Sequence, residues 1–260
     1  LRPKMKIASW NVNSLRVRLP QVLDWLEKSD VDILAIQETK VEDCSFPIND
    51  ITDAGFFCDY IGQKTYNGVT TISKIPPKES IKLINNEEQE QKRFLLTRYG
   101  EDLSVLNLYV VNGHEVGSDK YEYKLDWLKK IKKHIENDLK KTKYYVVLGD
   151  FNIAPNDEDI YDPEAWKDRI LCSKKERHAL EEILDLGFTD SFRIFDQDKE
   201  LYSWWDYRTG AFRRNRGLRI DLILSNKALS DKCTSSYIDI MPRENERPSD
   251  HAPVVSVFDI

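Results

Sequence analysis

The chain is poor in cysteine and has no long apolar run. Its four cysteines, Cys44, Cys58, Cys172 and Cys233, lie far apart and form no Cys-x-x-Cys pair. That excludes a dense disulfide framework and a thiolate zinc site, and makes a reduced interior the default. No apolar stretch approaches the ~18 residues that would suggest a membrane-spanning helix. The opening Leu-Arg-Pro-Lys-Met-Lys does not lead into a signal-peptide core, so a cytoplasmic protein without a membrane partner is expected. Met5 is read as the natural start and residues 1–4 as a remnant of expression. There is no Gly/Ser linker, low-complexity segment or short repeat, so residues 1–260 are read as a single catalytic-sized domain and a monomer.

What the chain does have is a core and an uneven distribution of charge. Hydrophobic residues make up 40% of the 260 positions, enough for a substantial interior. The 39 basic and 45 acidic residues leave a net charge of -6, which taken in bulk argues against a nucleic-acid partner. Locally the balance reverses: Arg208, Arg213, Arg214, Arg216 and Arg219 follow Tyr207 with no acidic residue among them before Asp221.

Periodicity predicts strands at Lys6 to Val12, Asp32 to Gln37, Phe57 to Ile61, Gly68 to Ser73, Arg93 to Tyr99, Leu103 to Val110, Tyr144 to Leu148, Leu218 to Leu224 and Pro253 to Phe258. A helix is expected from about Pro20 to Glu27, with Pro20 in its first turn. Leu125, Leu128, Ile131, Ile135 and Leu139 recur at helical spacing over Tyr121 to Leu139, whose lysines are read as a solvated face. Lys175 to Leu186 reads as a further amphipathic helix stopped by Gly187. Such a series fits two packed sheets with outer helices or an open doubly wound sheet, and periodicity alone does not separate them.

Polar groups stand at the ends of these apolar strands: Asn11, Glu38, Asp150 with Asn152, Asp221, and Asp250 with His251. An unpaired carboxylate in a low-dielectric site is costly, so a shared metal ion would give the set a purpose. Residues two apart in an extended segment face the same way, so Asp150 and Asn152 point into one site while Phe151 turns inward. Hard oxygen ligands favour Mg²⁺, with Mn²⁺ as substitute, and Glu38 is the first choice of ligand. Asp150, beside Asn152, is the candidate base for activating water. His251 is placed to donate to a phosphate, with Asp221 fixing its orientation.

Taken singly, each residue has a plainer reading. Glu38 and Asp250 suit a cap and a turn, Asn11 a strand-end amide, Tyr109 a core tyrosine, and Trp204 and Trp205 packing. Independent caps and turns do not predict the ordered series. Gln37-Glu38-Thr39-Lys40, Gly149-Asp150-Phe151-Asn152 and Ser249-Asp250-His251 resemble the motifs of the endonuclease/exonuclease/phosphatase superfamily. The segments Ser203-Trp204-Trp205-Asp206-Tyr207-Arg208 and Asn215-Arg216-Gly217-Leu218-Arg219-Ile220-Asp221 resemble, more narrowly, the exonuclease III family of abasic-site endonucleases. The likeness runs from about Met5 to the C-terminus. Asn13 stands where animal members carry Asp, as in the bacterial branch, and Tyr161 to Arg177 is unlike the enterobacterial enzyme.

The resemblance implies a four-layered α/β sandwich of two packed mixed β-sheets with outer helices. It implies a Mg²⁺-dependent DNA repair hydrolase, cytoplasmic and used at the bacterial nucleoid, that cuts double-stranded DNA 5′ to abasic sites and also acts on blocked 3′ ends. On that footing Asn11, Glu38, Asp150, Asn152, Asp250 and His251 are metal-side residues. Tyr109 is phosphate-proximal, Asp150 and Asn152 position water, and Asp221 with His251 polarises the phosphate. Trp204, Tyr207, Arg208, Arg213, Arg214 and Arg216 form the substrate-binding set, Trp204 bordering the extruded sugar. Two other classes compete: a lipid or inositol phosphate phosphatase, disfavoured by the arginine-rich loop, and a DNA-binding module without chemistry, disfavoured because every core position carries a competent residue.

Overall fold

Strands that are apolar on both faces need cover on both sides, and this chain provides it with two sheets and a layer of helices outside each. The computed structural model describes residues 3–260; of the segment read as a remnant, residues 1 and 2 lie outside that range. In chain order the strands are β1 Met5–Asn11, β2 Ile33–Gln37, β3 Phe57–Ile61, β4 Val69–Ser73, β5 Glu79–Ile81, β6 Phe94–Tyr99, β7 Leu103–Tyr109, β8 Tyr144–Asp150, β9 Phe188–Asp190, β10 Trp204–Trp205, β11 Gly217–Leu218, β12 Asp221–Asn226, β13 Cys233–Ile238 and β14 Val254–Phe258. The α-helices are α1 Leu15–Ser29, α2 Ile48–Asp53, α3 Asp119–Asp138, α4 Pro163–Trp166, α5 Lys174–Leu184 and α6 Lys227–Ser230. One sheet has the order β13-β14-β1-β2-β4-β3, the other β5-β6-β7-β8-β12-β9, and β10 pairs with β11 alone. Both six-stranded sheets are mixed, with parallel pairs β1/β2 and β7/β8.

Alternation along each strand sorts its side chains into layers. Ile7 of β1, Ile33 and Ala35 of β2, Val105 of β7, Val146 and Leu148 of β8 and Ile223 of β12 meet between the sheets. Their neighbours face outward. Ala8 and Trp10 pack beneath Val22, Trp25 and Leu26 of α1, while Tyr145, Val147, Leu222 and Leu224 pack beneath Trp127, Leu128 and Ile131 of α3 and Leu180 and Ile183 of α5. This is the four-layered sandwich that the motifs imply. Among the described residues no helix is long and apolar enough to cross a membrane.

Four local expectations need correction. Helix α1 begins at Leu15, so Pro20 lies inside it rather than in its first turn. Arg16 and Pro20 are both exposed, so water can serve the carbonyl that the proline leaves without a donor. The strand expected over Leu218 to Leu224 is broken. Arg219 N donates to Asp159 O, and the amides of Ile220 and Asp221 both donate to Ser203 Oγ at 3.0 Å, so β11 pairs with β10 and β12 starts afresh at Asp221. The lysines of α3 are not all solvated: Lys124 is fully buried. Finally, β5, β9 and β13 extend the sheets where no strand is expected.

Helix α3 is tied to the second sheet by charge as well as packing. Arg98 of β6 donates to both carboxylate oxygens of Asp138, at 2.6 and 3.1 Å, and the Tyr145 hydroxyl donates at 2.8 Å. Burial alone would raise the Asp138 carboxyl, but Arg98, Tyr145 and Lys141 outweigh it and hold it below the usual carboxylate range. Removing one partner of a buried pair strands the other. Asp138→Asn is therefore expected to lower unfolding stability by about 3 kcal/mol at neutral pH. The native contribution is complete above the unfolded carboxyl's value of about 3.9 and fades as pH falls through the lower folded value. Denaturant titrations from pH 7 to pH 3 should show the gap between variant and wild type closing in acid.

Candidate active site

The faces that fill the inter-sheet core end, at one edge of the sandwich, in polar residues. Two-residue spacing carries Ile7 to Ser9 and Asn11 on β1, Ala35 to Gln37 on β2, Val105 to Asn107 and Tyr109 on β7, and Leu148 to Asp150 on β8. Register completes the row. Tyr109 pairs with Asp150, and Asp150 with Asp221 at the start of antiparallel β12. Gly149 permits this alignment, since a Cβ there would lie 1.9 Å from Leu108 O. Below the edge runs a bed of amides, in which Gln37 Nε2 donates to Asn107 Oδ1 at 2.9 Å and to Ser9 Oγ at 3.1 Å.

On this bed the predicted residues converge. Asn11 Nδ2 spans two carboxylates, donating to Glu38 Oε1 at 3.0 Å and Asp150 Oδ2 at 2.9 Å. The Tyr109 hydroxyl donates to Glu38 Oε1 at 2.8 Å, and Lys40 Nζ stands 3.4 Å from Glu38 Oε2. Asp150 Oδ1 accepts from the backbone of Asn152 at 3.0 Å. His251 Nδ1 lies 2.8 Å from Asp221 Oδ2 and its Nε2 lies 3.7 Å from Asp150 Oδ2. Asp250 sits one step away, accepting from Asn13 Nδ2 at 3.3 Å and Trp204 Nε1 at 3.1 Å. Glu38 and Asn152 are held at φ 55 and 48, left-handed backbone that costs of order 1 kcal/mol or more and gathers at functional sites.

Burial and like charge set the protonation. Desolvation pushes the Asp150 carboxyl up to about 7, with Asp221 and Glu38 adding to the rise against His251 and Asn11. Burial pulls the His251 imidazolium down, but Asp221, Asp150 and Asp250 outweigh it and raise it to about 10. Glu38 goes the other way: desolvation opposes its charge, yet donors Asn11 and Tyr109 hold it below the usual range. Burial and the charge of Glu38 and Asp150 keep the Tyr109 phenol protonated.

Asp150, Asp221 and His251 offer ligand atoms within 4.8 Å of one another, a buried set consistent with a divalent-metal site. The residues present fit a cation. Asp221 Oδ1 is buried without a partner among the described residues, and Asp150, hemmed by Glu38 and Asp221, is carried far from its ordinary ionisation.

The substrate-binding set is spread along the next rim. Trp204 is half-buried against Leu218 and Ile220 and pairs across a bridge with His251; Trp205 is core. The Tyr207 hydroxyl donates to Pro248 O at 2.8 Å. Arg213, Arg214 and Arg216 are exposed, while Arg208 is engaged by Asp206 through two side-chain bonds, at 2.9 and 3.0 Å. Arg219 does not belong to this group, because it is buried between Asp159 and Asp190. Two neighbours of the site went unforeseen. Lys40 was signalled by its place in the Gln-Glu-Thr-Lys motif; Arg93, whose guanidinium lies 4.6 Å from the Tyr109 ring, had no local signal. Arg93 also lines a cavity of about 610 Å³ together with Asn112, His114, Lys120, Glu90 and Asp119.

The profile of the Endonuclease/Exonuclease/phosphatase family matches residues 8–251. An exodeoxyribonuclease of Bacillus subtilis is 34% identical over 261 residues, covering 98% of this chain and all of that one. Among solved structures, the 3′ phosphatase NExo from Neisseria, bound to a product DNA hairpin, superposes with a TM-score of 0.96 at 41% identity, over 98% of this chain and all of NExo. An AP endonuclease from Archaeoglobus fulgidus gives 0.93 at 36%, over 98% of this chain and all of that enzyme. The chain belongs to the Endonuclease/Exonuclease/phosphatase family and, within it, to the exonuclease III branch of phosphoester hydrolases.

The His251–Asp221 hydrogen bond makes a direct prediction about hydrolysis. If the pair acts as one unit, either removal disables the same step. His251→Asn and Asp221→Asn should each lower turnover, and the double variant should lose far less than the product of the two. Multiplicative losses in a kinetic double-mutant cycle would show that they act separately.

Proposed function

We propose that this chain is a Mg²⁺-dependent DNA repair phosphodiesterase that cleaves the backbone 5′ to abasic sites and leaves a 3′-hydroxyl, with 3′-to-5′ exonuclease and 3′-phosphatase activity. The observation that carries this reading is the buried Asp150 carboxylate, set between Asn152 on one side and the His251–Asp221 dyad on the other, with Trp204 and exposed arginines on the adjoining rim. The names of similar structures support the range of activities: NExo is described as a 3′ phosphatase and as a 3′-to-5′ exonuclease, and the Archaeoglobus protein as an AP endonuclease. Groups from both sheets meet in one site, which supports one catalytic domain over residues 1–260, acting as a monomer.

Asp150, held beside Asn152 and facing His251, is placed to take a proton from water. Asn152 orients that water beside it. Attack on the phosphorus breaks its bond to the 3′ oxygen of the preceding nucleotide, which takes a proton from solvent and leaves as the 3′-hydroxyl. His251, kept charged by Asp221 and Asp150, donates from Nε2 to a phosphate oxygen as negative charge builds, and the protonated Tyr109 hydroxyl stands nearby. Glu38 would hold the divalent ion, with Asn11, Asp150, Asn152 and Asp250 around it, while His251, as an imidazolium bonded to Asp221, has no free lone pair for a metal and serves the phosphate side. Bound there, Mg²⁺ or Mn²⁺ neutralises charge on the attacked phosphodiester. Trp204 walls a pocket that admits a bare sugar and excludes a base, and an abasic nucleotide costs less to extrude than an intact one. Arg208, Arg213, Arg214 and Arg216, with Tyr207, grip the backbone of double-stranded DNA.

Incubation with a duplex carrying one abasic site should give a 3′-hydroxyl nick with Mg²⁺ and none after exhaustive chelation; undiminished cleavage under chelation removes the metal from the mechanism. Asp150→Asn should keep DNA binding and lose about 10²-fold in turnover. Near wild-type turnover would mean that another group activates water. Replacing Arg213 and Arg214 with alanine should weaken binding to abasic and intact duplex alike and flatten the salt dependence by about 0.9 per lost phosphate contact. Trp204→Ala should instead erode the preference for abasic DNA. Titrations of both duplexes at several salt concentrations separate the two effects, and an unchanged slope or preference places substrate selection elsewhere.

A further inference from the structure

The buried stripe of α3 contains a lysine among its apolar residues. Lys124 lies on the same face as Tyr121, Trp127, Leu128 and Ile131 and is fully buried, as is its partner Glu176 near the start of α5. Its ammonium has three N–H groups and three acceptors: Glu176 Oε1 at 2.5 Å, Asn152 O at 2.6 Å and Asn112 O at 3.2 Å. Only the charged form uses all three, because a neutral amine would turn a lone pair toward one of these oxygens. Glu176 is saturated in turn by the amides of Leu171 and Ser173 and the Ser173 hydroxyl. The backbone makes room for this arrangement. At Gly113, whose φ of +90 suits glycine, an added Cβ would come within 3.1 Å of the Lys124 stem and 3.0 Å of Ile170.

A packed apolar side chain would serve stability at this position as well as or better than a buried ion pair, so the charge calls for another purpose. What it touches supplies one. Asn152 sits at φ 48 with its carbonyl turned onto Lys124, its amide donates to Asp150 Oδ1, and its side chain donates to Val110 O at 2.9 Å and lies 3.4 Å from Asn112 Nδ2. Of the two residues whose carbonyls meet the lysine, Asn152 borders the catalytic carboxylate directly, and Asn112 borders it through the Asn152 side chain. We propose that Lys124, held by Glu176, is a positioning residue that fixes the backbone of Asn152 and Asn112 and so aims the Asp150–Asn152 pair at the attacking water. The inference rests on the assignment of that pair under the proposed function.

The test is Lys124→Met combined with Glu176→Gln, which removes both charges and keeps an acceptor for the amides at the start of α5. Thermal unfolding, equilibrium binding to an abasic duplex, and single-turnover cleavage under saturating Mg²⁺ are measured together. The positioning role predicts a cooperatively folded protein that binds the duplex as wild type does and cleaves about 10²-fold more slowly, the scale of a small misplacement of reacting groups. Lys124→Arg, which keeps a charged donor, should recover most of the rate. Glu176→Gln alone, a milder change that secures the test if the double variant does not fold, should slow cleavage with binding intact. Wild-type cleavage by a folded double variant, or by Glu176→Gln if only that folds, overturns the inference, as does a loss of rate matched by an equal loss of binding. Asp150→Asn is run alongside. If it too cleaves at the wild-type rate, the assignment of the catalytic pair has failed, whereas slow cleavage by Asp150→Asn beside fast cleavage by the double variant faults Lys124 alone.

Discussion

Glu38, Asp150 and Asp221 bring three carboxylates to one end of the inner faces of the sandwich, and much of the local structure compensates for that crowding. Isolated charges in such a place would be too costly to keep. Asn11 stands between two of the carboxylates and donates to both, Tyr109 donates to Glu38, the Asn152 backbone donates to Asp150, and His251 answers Asp221. Even so Asp150 is displaced to about 7. A site built only for stability would have filled this edge with apolar residues; here the cost of charge is retained, in a buried set consistent with a divalent-metal site.

The same edge is tied to the Trp204 segment by hydrogen bonds. Trp204 donates to Asp250, Trp205 N donates to Asp250 O, and Ala252 N donates to Ser203 O, so the segment that carries Trp204 is bonded to the segment that carries His251. Ser249 Oγ donates to Asn11 O at 2.6 Å and accepts from His251 N at 3.2 Å. Arg243 joins them, donating to Ser249 O at 2.6 Å while its guanidinium lies 4.6 Å from the Phe212 ring.

Much of this was legible before the structure. Short apolar or alternating runs located β1, β2, β3, β4, β6, β7, β8 and β14 to within a residue or two, and helical spacing located α3 and α5. The residues nominated for the site meet at one edge because each closes or opens a strand whose direction the mixed sheets determine. Other features depend on partners far away in sequence. Lys124 looks like a solvated lysine until Glu176, 52 residues on, is folded against it, and Arg219 reads as part of a basic loop until Asp159 and Asp190 enclose it. Pro20 gave a false start because its signal for a first turn is indistinguishable from a proline tolerated on an exposed helix face. Strand β13, Cys-Thr-Ser-Ser-Tyr-Ile, has too little apolar alternation to stand out and exists by pairing with β14.

The central claim is that the crowded carboxylates of this edge are stabilised by a divalent cation at Glu38. Thermal unfolding of the DNA-free protein at neutral pH, followed as Mg²⁺ is raised, tests it without reference to turnover. Binding to the native state alone raises the unfolding temperature with ligand concentration. The account predicts such a rise for the wild type and its loss or displacement to much higher Mg²⁺ in Glu38→Gln. An unfolding temperature indifferent to Mg²⁺ in the wild type, or a rise equally large in Glu38→Gln, would contradict it.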